Sequence, residues 1–516
     1  MIAKVILVVL FFAVTIAIGF FTRKRASNVD GFVLGGRKVG PWLTAFAYGT
    51  SYFSAVVFIG YAGQFGWKYG MAALWIGLGN AFIGSLLAWY VLGARTRAMT
   101  HHLGSKTMPE FFGSRFNSKP LRIAAAAIIF VFLIPYTASV YNGLSRLFEM
   151  AFGLPYEVAI IAMAVLTCIY VVLGGYMATA VNDFVQGCIM LVGIVAVIAV
   201  VLSQHGGFSE AVVTLSQVPN DTPGGAAMSG AFTSMFGPDP LNLLGVIILT
   251  SLGAWGLPQM VSKFYAIKST SNIKRGAIIS TIFALVIAGG SYFLGGFGRL
   301  AASDVALAPN GNPIFDSIIP TLLSNLPELL IGLTVVLVLS ASMSTLSSLV
   351  MTSSSTLTLD FIKGNFAKKM TERSQLSTIR ILIIIFVIVS AIIALVQYNS
   401  SVTFIAQLMS ISWGALAGSF LAPFLFGLYW KRTTVASVWA CFIFAVGLVC
   451  SNMIFGYIAS PINAGAIAMV AGLVIVPIVS LLTPAPNKEK TALLFRESYK
   501  NLHERPIDAK ESTDAS

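Results

Sequence analysis

A run of hydroxyl side chains inside one apolar stretch is the part of this sequence best suited to binding a cation. Six of the nine residues from Ser340 to Ser348 are serine or threonine. Ser344, Ser347 and Ser348 share one helical face because they are spaced three or four residues apart, and Thr345 lies beside them. A hard cation such as sodium prefers several oxygen ligands. The pattern predicts a sodium site, and close helix packing is the alternative explanation.

Asp183 is the one carboxylate that the sequence places near the buried part of an apolar stretch, at the start of residues 184–203. A carboxylate in a bilayer costs about 2.5–3.5 kcal/mol on insertion scales, so it is a functional candidate. The alternative is a carboxylate in the first turn of a helix, where the dipole contributes about 0.3–1 kcal/mol. The sequence leaves both explanations open.

Two apolar stretches contain residues that weaken a helix near its middle. Residues 47–55 are rich in small and hydroxyl side chains, and residues 251–258 contain two glycines before a proline. Within a bilayer, irregular backbone is tolerated only where it lines a cavity in the protein, and carbonyl groups freed there can bind a cation. Both stretches are predicted to be broken helices, although Gly and Pro are also common in ordinary membrane helices.

The composition places these residues in a membrane protein. Of the 516 residues, 57% are hydrophobic and 10% are charged, whereas soluble proteins have about 25% charged residues. Neither a soluble protein nor a nucleic-acid-binding one fits, despite the net charge of +13. The four cysteines lie inside apolar runs, so a disulfide framework is not expected.

The sequence predicts an all-α protein with thirteen membrane spans, because a helix needs about 20 apolar residues to cross a bilayer. Residues 1–482 form a single transmembrane domain, and residues 483–516 are predicted to be a short, disordered cytoplasmic tail. The spans are 2–21, 41–66, 70–95, 122–147, 156–176, 184–203, 241–262, 276–298, 327–360, 378–397, 402–429, 434–456 and 463–482.

Charge distribution gives the orientation. With the N-terminus outside and the C-terminus in the cytoplasm, only Lys4, Lys68, Arg146 and Arg299 fall on the outer side, as the positive-inside rule requires. We therefore expect a multi-pass protein of the cell membrane. The two weakened spans are the second and the seventh, which is the spacing of a 5+5 inverted repeat covering spans 2–6 and 7–11.

Several short motifs, in one order along the chain, resemble those of the sodium:solute symporter family, which includes sodium/proline, sodium/pantothenate and sodium/sugar symporters. The motifs are residues 32–37, 54–60, 107–112, 174–176, 182–186 and 343–347. The resemblance implies a LeuT-like core that holds one sodium between the second and ninth spans. The implied ligands are the carbonyls of Thr50, Phe53 and Ala341 and the hydroxyls of Ser344 and Thr345. A possible second sodium would be held by Asp183, Ser344, Ser347 and Ser348.

The resemblance does not identify the solute. Tyr52, Thr250 and Ala254 depart from the proline transporter pattern, and Val56 and Val57 depart from the sugar transporter pattern. The stretches at Tyr52, at Ser54–Ala55 and at residues 256–258 are more similar to those of the pantothenate and monocarboxylate branch. The sequence offers no Arg or Lys at the predicted midplane to pair with a carboxylate. The side chains expected to line the solute pocket are Ser54, Val57, Tyr136, Asn142, Ser251 and Trp255.

The predicted function is sodium-coupled import of a small organic solute, such as pantothenate, a monocarboxylate or proline, by alternating access. A sugar or other polyol as the solute, or a sensor that does not transport, are the alternatives. No enzymatic activity is expected, because an enzyme within the membrane would need a nucleophile, a metal cluster or an acid–base pair, and the sequence offers one isolated aspartate near the buried part of the predicted spans and no histidine within them. The expected partners are the solute, sodium and the lipid bilayer, without nucleic acid or an obligate partner protein. The sequence leaves open the solute, the stoichiometry, the oligomeric state and whether protons replace sodium.

Overall fold

The structure is a computed structural model that describes residues 2–221, 230–308, 311–400 and 405–503. Two segments of the sequence-based predictions lie outside these residues, namely 402–404 at the start of the eleventh span and 504–516 of the tail. Within the described residues the secondary structure is helical, apart from two isolated β-bridges. The all-α prediction is therefore confirmed.

Long apolar helices alternate with short helices of 3–16 residues along the described chain. The helices of the first half are α1 Ile2–Thr22, α2 Val29–Leu34, α3 Pro41–Tyr52, α4 Ala62–Tyr69, α5 Leu74–Gly79, α6 Ala94–His102, α7 Met108–Arg115, α8 Lys119–Phe152, α9 Tyr156–Gln204 and α10 Phe208–Ser216. Those of the second half are α11 Pro240–Gly256, α12 Pro258–Ala266, α13 Asn272–Gly296, α14 Phe315–Leu323, α15 Glu328–Thr356, α16 Lys363–Asn365, α17 Glu372–Ser400, α18 Ile405–Tyr429, α19 Val435–Phe455, α20 Pro461–Leu482 and α21 Lys488–His503.

Both predicted helix breaks are present. Helix α3 ends at Tyr52, Phe53 has an extended conformation (φ −112°, ψ 102°), and a π-helical segment begins at Val56. Helices α11 and α12 meet at Leu257 (φ −78°, ψ 122°) with a bend of 43°. In each case the chain leaves the helical conformation for only one to a few residues, so backbone groups near the middle of the span lose their helical partners.

Two glycines interrupt long helical segments with a non-helical backbone conformation. Gly70 has φ 58° and ψ −135°, and Gly175, inside α9, has φ 55° and ψ −154°. Helix α9 has 49 residues, which at 1.5 Å per residue is more than twice a bilayer core of about 30 Å. Ten helical segments of the described residues are long and apolar enough to cross a membrane, or eleven if α11 and α12 form one span.

Helix α15 lies at the centre of the molecule and positions the predicted cation ligands. Every residue from Val335 to Met351 is buried, and α15 packs against α1, α3, α8 and α9. The hydroxyl-rich face therefore contacts other helices and not lipid. Apolar neighbours alone would not require hydroxyl groups on this face of α15. The polar groups that contact these hydroxyls therefore indicate what the face binds.

The tail differs from its prediction. The sequence predicts disorder after residue 483, but Lys488–His503 forms the helix α21. Phe495 and Tyr499 of this helix are buried against the protein, and the Tyr499 hydroxyl donates to the Leu428 carbonyl over 2.6 Å. Four-residue spacing places the two aromatic rings on one face, and burial of that face explains why the segment is helical.

Candidate functional site

The predicted sodium ligands meet where α3 ends. The hydroxyl groups of Ser344 and Thr345 both donate to the Thr50 carbonyl oxygen, over 2.9 and 3.2 Å. The Ser344 hydroxyl also lies 3.1 Å from the Ala341 carbonyl oxygen. Phe53, the fifth predicted ligand, is the extended residue at the helix break. The structure therefore brings four of the five predicted residues into contact, and the fifth, Phe53, lies three residues after Thr50 at the helix break.

The break in α3 explains why this oxygen cluster forms. Thr50 lies in the last turn of α3. Because this helix ends at Tyr52, the Thr50 carbonyl has no N–H group four residues later in the same helix from which to accept a hydrogen bond. The approach of α15 supplies two hydroxyl groups instead. Gly49 permits close packing on the other side, because a Cβ atom there would lie 2.4 Å from the Phe283 ring. The cluster consists of neutral oxygens in a buried setting, which suits an alkali cation.

The residues predicted to hold a second sodium are buried nearby but are differently engaged. The Ser347 hydroxyl donates to the Ser344 carbonyl over 2.8 Å, and the Ser348 hydroxyl lies 2.8 Å from that of Ser51. Asp183 is completely buried, and neither of its carboxylate oxygens has a hydrogen-bond partner. It lies eight residues after the helix interruption at Gly175. Asp183 is therefore beyond the first turn of the helix that follows, and a helix-dipole effect in that turn does not explain its burial.

Lys263 is a buried charged residue that the sequence analysis did not select. The sequence places it in an inner loop, just after a span that ends at residue 262, whereas the structure places it in helix α12 with only 3% of its surface exposed. Its ammonium group donates to the Ser348 hydroxyl over 3.0 Å. The break at Leu257 turns α12 inward, and this turn could not be located to the residue from composition.

A buried aromatic cluster lies beside the break in α3 and forms the candidate solute pocket. The Tyr52 ring stacks on Trp413 with 5.9 Å between centroids, and the Tyr136 ring meets Trp413 edge-on at 6.0 Å. Ser54, in the break itself, is completely buried. The Tyr136 hydroxyl lies beside the Ser54 hydroxyl and the Trp413 indole nitrogen, but neither the Tyr136 hydroxyl nor that nitrogen makes a hydrogen bond of regular geometry in the protein. Two such donors in one place can bind an acceptor group of a solute.

A second group of polar contacts joins the two broken helices near this cluster. The Tyr52 hydroxyl donates to the Thr250 carbonyl over 2.5 Å, and Asn80 lies 3.3 Å from the hydroxyls of both Tyr52 and Ser251. Trp255 donates its indole N–H to the Ile83 carbonyl over 3.0 Å. Ser251 and Trp255 are therefore held by the protein itself, at the edge of the aromatic cluster.

The last two predicted pocket residues are placed differently. Val57 is buried in the π-helical segment that follows the break. Asn142 instead bonds with the Tyr156 hydroxyl and donates to the Gln397 side chain over 3.3 Å. Trp413 and Asn80, which the sequence analysis did not select, contact the cluster more directly. No motif marks the sequence around either residue. Only the packing of α18 and of the π-helical segment Asn80–Leu87 identifies them.

Comparison with known proteins agrees with this geometry. Residues 32–443 match the model of the sodium:solute symporter family. Sodium/proline symporters of Staphylococcus aureus, including that of strain JH9, are 32% identical over 442 residues, which is 84% of this chain and 82% of the relative. The S. aureus strain USA300 protein of the same name matches equally well.

Solved structures show the same fold at lower sequence identity. A sodium-coupled sialic acid symporter in a substrate-bound, outward-open state superposes with a TM-score of 0.73 at 18% identity, covering 94% of this chain and 99% of that one. The transporter MhsT in complex with L-phenylalanine gives a TM-score of 0.52 at 14% identity, covering 85% and 98%. These likenesses establish a LeuT-like fold for this multi-pass membrane protein.

The family match covers the broken helices, the hydroxyl-rich helix α15 and the aromatic cluster. Its match to the curated relatives covers more than four-fifths of both chains. The chain therefore belongs to the sodium:solute symporter family and is a sodium-coupled solute transporter.

Proposed function

We propose that the protein imports a small organic solute by alternating access and that one sodium ion binds at the cluster of Thr50, Phe53, Ala341, Ser344 and Thr345. The observation that carries this proposal is the convergence of two hydroxyl groups on the Thr50 carbonyl. Sodium at this point would bridge α3 and α15. Ion binding would then stabilise the arrangement of the broken helix that the solute recognises.

We also propose thirteen spans with an external N-terminus and a cytoplasmic C-terminus in the cell membrane. The helix interruptions at Gly70 and Gly175 support this count, because each divides one of the long apolar segments into two. With the pair α11–α12 taken as one span, eleven spans become thirteen. The distribution of basic residues supports the orientation.

The aromatic cluster supports a compact solute with a carboxylate or carbonyl group. Tyr136 and Trp413 supply donors that make no hydrogen bond of regular geometry in the protein, and the stacked ring of Tyr52 supplies an apolar surface. Proline, pantothenate and short monocarboxylates all have these features. A sugar would need many hydrogen-bonding groups around it, and Val57 of the pocket is apolar. The solute undergoes no chemical change in this mechanism, so the protein is a transporter and not an enzyme.

The decisive experiment is uptake by the purified protein in liposomes under an inward sodium gradient. Competition by proline, other amino acids, pantothenate, monocarboxylates and sugars would identify the solute. We expect uptake with external sodium and none with external potassium. Equal uptake in both salts would contradict sodium coupling, and sodium-dependent uptake of sugars alone would contradict the proposed solute class.

A further inference from the structure

Lys263 places a positive charge inside the core of the protein. It lies on α12, the half-helix after the second break, and is 3% exposed. The ammonium group donates to Ser348 of α15 over 3.0 Å, and the Ser348 hydroxyl lies 2.8 Å from Ser51 of α3. Its position is 5.3 Å from the centre of the Tyr176 ring. A buried ammonium group requires a nearby negative charge to compensate for lost hydration.

Asp183 supplies that negative charge. It is completely buried on α9 and has no hydrogen-bond partner at either oxygen. Asp183 follows Thr179 by one turn of α9, and Thr179 and Tyr176 line the same cavity as Lys263. The two charged groups therefore lie on different helices around one region, with Ser348 bound directly to the lysine. Ser348 follows Ser344 by one turn of α15, so the lysine lies beside the cluster proposed to hold sodium.

We propose that the Lys263 ammonium is a built-in cation that takes the place of a second sodium ion. This inference rests on the proposed function, because it concerns a second ion next to the first. The ammonium has the charge of sodium, uses Ser348 as its oxygen partner and compensates Asp183. A sodium ion there would have to displace it from Ser348 and would be repelled by it. The protein therefore binds one sodium per transport cycle.

A cavity of about 30 Å³ adjoins Lys263 and is also lined by Ser348, Tyr176 and Thr179, among other residues. In this proposal the ammonium charge is what prevents a second sodium from binding beside Ser348, and removal of the lysine charge should allow it.

The test is the number of radioactive sodium ions bound at saturation by the purified full-length protein in detergent. We expect one ion per wild-type protein and two per Lys263→Gln protein, in which Asp183 and Ser348 are free to bind sodium. Lys263→Arg and the double variant Asp183→Asn/Lys263→Gln should each bind one. Lys268→Gln is the matched control, because it removes an exposed charge five residues away and should leave the count at one.

The outcomes separate this inference from the proposed function. Two ions bound by the wild type, or one by a folded Lys263→Gln protein, would overturn it. If Lys263→Gln does not give a monodisperse protein, the wild-type count still decides between one ion and two. A purely structural bond between Lys263 and Ser348 would affect stability without changing the count. No sodium binding by the wild type would instead contradict the first sodium site, and with it the proposed function.

Discussion

The proposed first sodium site depends on two hydroxyl groups that share one carbonyl oxygen. Ser344 and Thr345 both donate to Thr50, and a bound sodium would receive the lone pairs that these oxygens keep. The carbonyl oxygen that these two hydroxyl groups share belongs to α3, so neither hydroxyl is needed for the backbone hydrogen bonds of α15. Removing either hydroxyl should therefore affect ion binding more than folding.

We expect Ser344→Ala and Thr345→Ala each to raise the sodium concentration for half-maximal uptake about tenfold. Loss of one neutral oxygen ligand costs on the order of 1–1.5 kcal/mol, and 1.4 kcal/mol corresponds to a factor of ten. The measurement is solute uptake by liposomes at increasing external sodium. The matched control is Ser342→Ala, whose hydroxyl bonds to the Val338 carbonyl of its own helix over 2.7 Å. An equal effect of Ser342→Ala would show that the change is general to α15.

The solute pocket gives a second prediction for a single residue. Tyr136→Phe removes a buried hydroxyl that makes no hydrogen bond of regular geometry in the protein, so its loss should leave stability nearly unchanged. If the solute receives this hydroxyl, half-saturation by solute should rise about tenfold, since one hydrogen bond contributes roughly 0.5–1.5 kcal/mol. Uptake measured against solute concentration at saturating sodium tests this. An unchanged solute affinity would remove Tyr136 from the pocket.

Residue types located the proposed first sodium site better than the surroundings of Asp183. The hydroxyl-rich face with Ser344 and Thr345 and the broken helix were predictable because both are local features of the sequence, and the family resemblance added Thr50. The position of Lys263 was not predictable, because it depends on where α12 begins and how far it turns inward. A span that ends one residue too early assigns this lysine to a loop. The partner of a buried charge is a property of packing between helices, which a single sequence does not show.

Among the helices, α9 depends most on one glycine. Gly175 has φ 55°, and a Cβ atom there would lie 2.8 Å from the Phe32 ring and 3.0 Å from the Phe32 carbonyl oxygen. Asp183 lies in the part of α9 that follows this interruption and is completely buried. A side chain at this position would strain the backbone and collide with α2, so both the turn and the position of Asp183 require glycine.

We expect Gly175→Ala to destabilise the protein by about 1–3 kcal/mol, the usual cost of overpacking, with backbone strain in addition. The readout is the apparent unfolding temperature in detergent, together with the yield of monodisperse protein. Gly447→Ala in α19 is the control, because an added Cβ there has no heavy atom within 4 Å and should be neutral. Equal stability of the two variants would show that Gly175 is not essential to the turn.

Helix α21 is held to the transmembrane part by stacked cations. Arg95 lies 4.1 Å from the centre of the Tyr429 ring and 4.8 Å from that of Tyr499. Arg115 lies 4.9 Å from the Phe495 ring. Mixed charge and low hydropathy indicate disorder when this segment is taken alone. The sequence could not show that arginines more than 370 residues earlier in the chain provide its binding surface.

Tyr499→Ala should release α21 from this surface. Burial of a large side chain contributes about 1.5–3 kcal/mol, so amide hydrogen exchange in residues 488–503 should become about ten- to a hundredfold faster. Mass spectrometry of the peptides from this segment measures the change. Leu493→Ala, which removes an exposed apolar side chain of the same helix, should leave exchange unchanged. Similar rates in Tyr499→Ala and the wild type would mean that other contacts hold the helix.

For the whole molecule, the number of coupled sodium ions sets how strongly solute is accumulated. One charge crossing 100 mV supplies about 2.3 kcal/mol, which corresponds to roughly fiftyfold accumulation of a neutral solute. Two ions would supply about twice that free energy and square the ratio, before any sodium gradient is added. The lysine charge proposed to replace a second ion would therefore limit accumulation but also lower the sodium influx that each solute molecule requires.

Stability of the whole molecule should depend on pH through one buried carboxylate outside the spans. Asp316 on α14 is buried and accepts a hydrogen bond from the Ile405 N–H at the start of α18 over 3.3 Å. Burial raises the pKa of this carboxyl from 3.8 to about 6, although the bond to Ile405 and the charge of Arg146 oppose the rise. The folded protein therefore binds a proton at Asp316 more tightly than the unfolded chain does.

The sign of the effect follows from this difference in proton binding. The contribution of Asp316 is fully present below pH 4 and is lost as the pH rises through 6, because charging the buried group then opposes folding. At about 1.36 kcal/mol per pKa unit, the loss is on the order of 3 kcal/mol. Asp316→Asn cannot ionise, so its stability relative to the wild type should increase between pH 4 and pH 7.5. Apparent unfolding temperatures of both proteins across this range measure the difference. A constant difference would show that Asp316 does not titrate there, and α14 would then join α18 through packing alone.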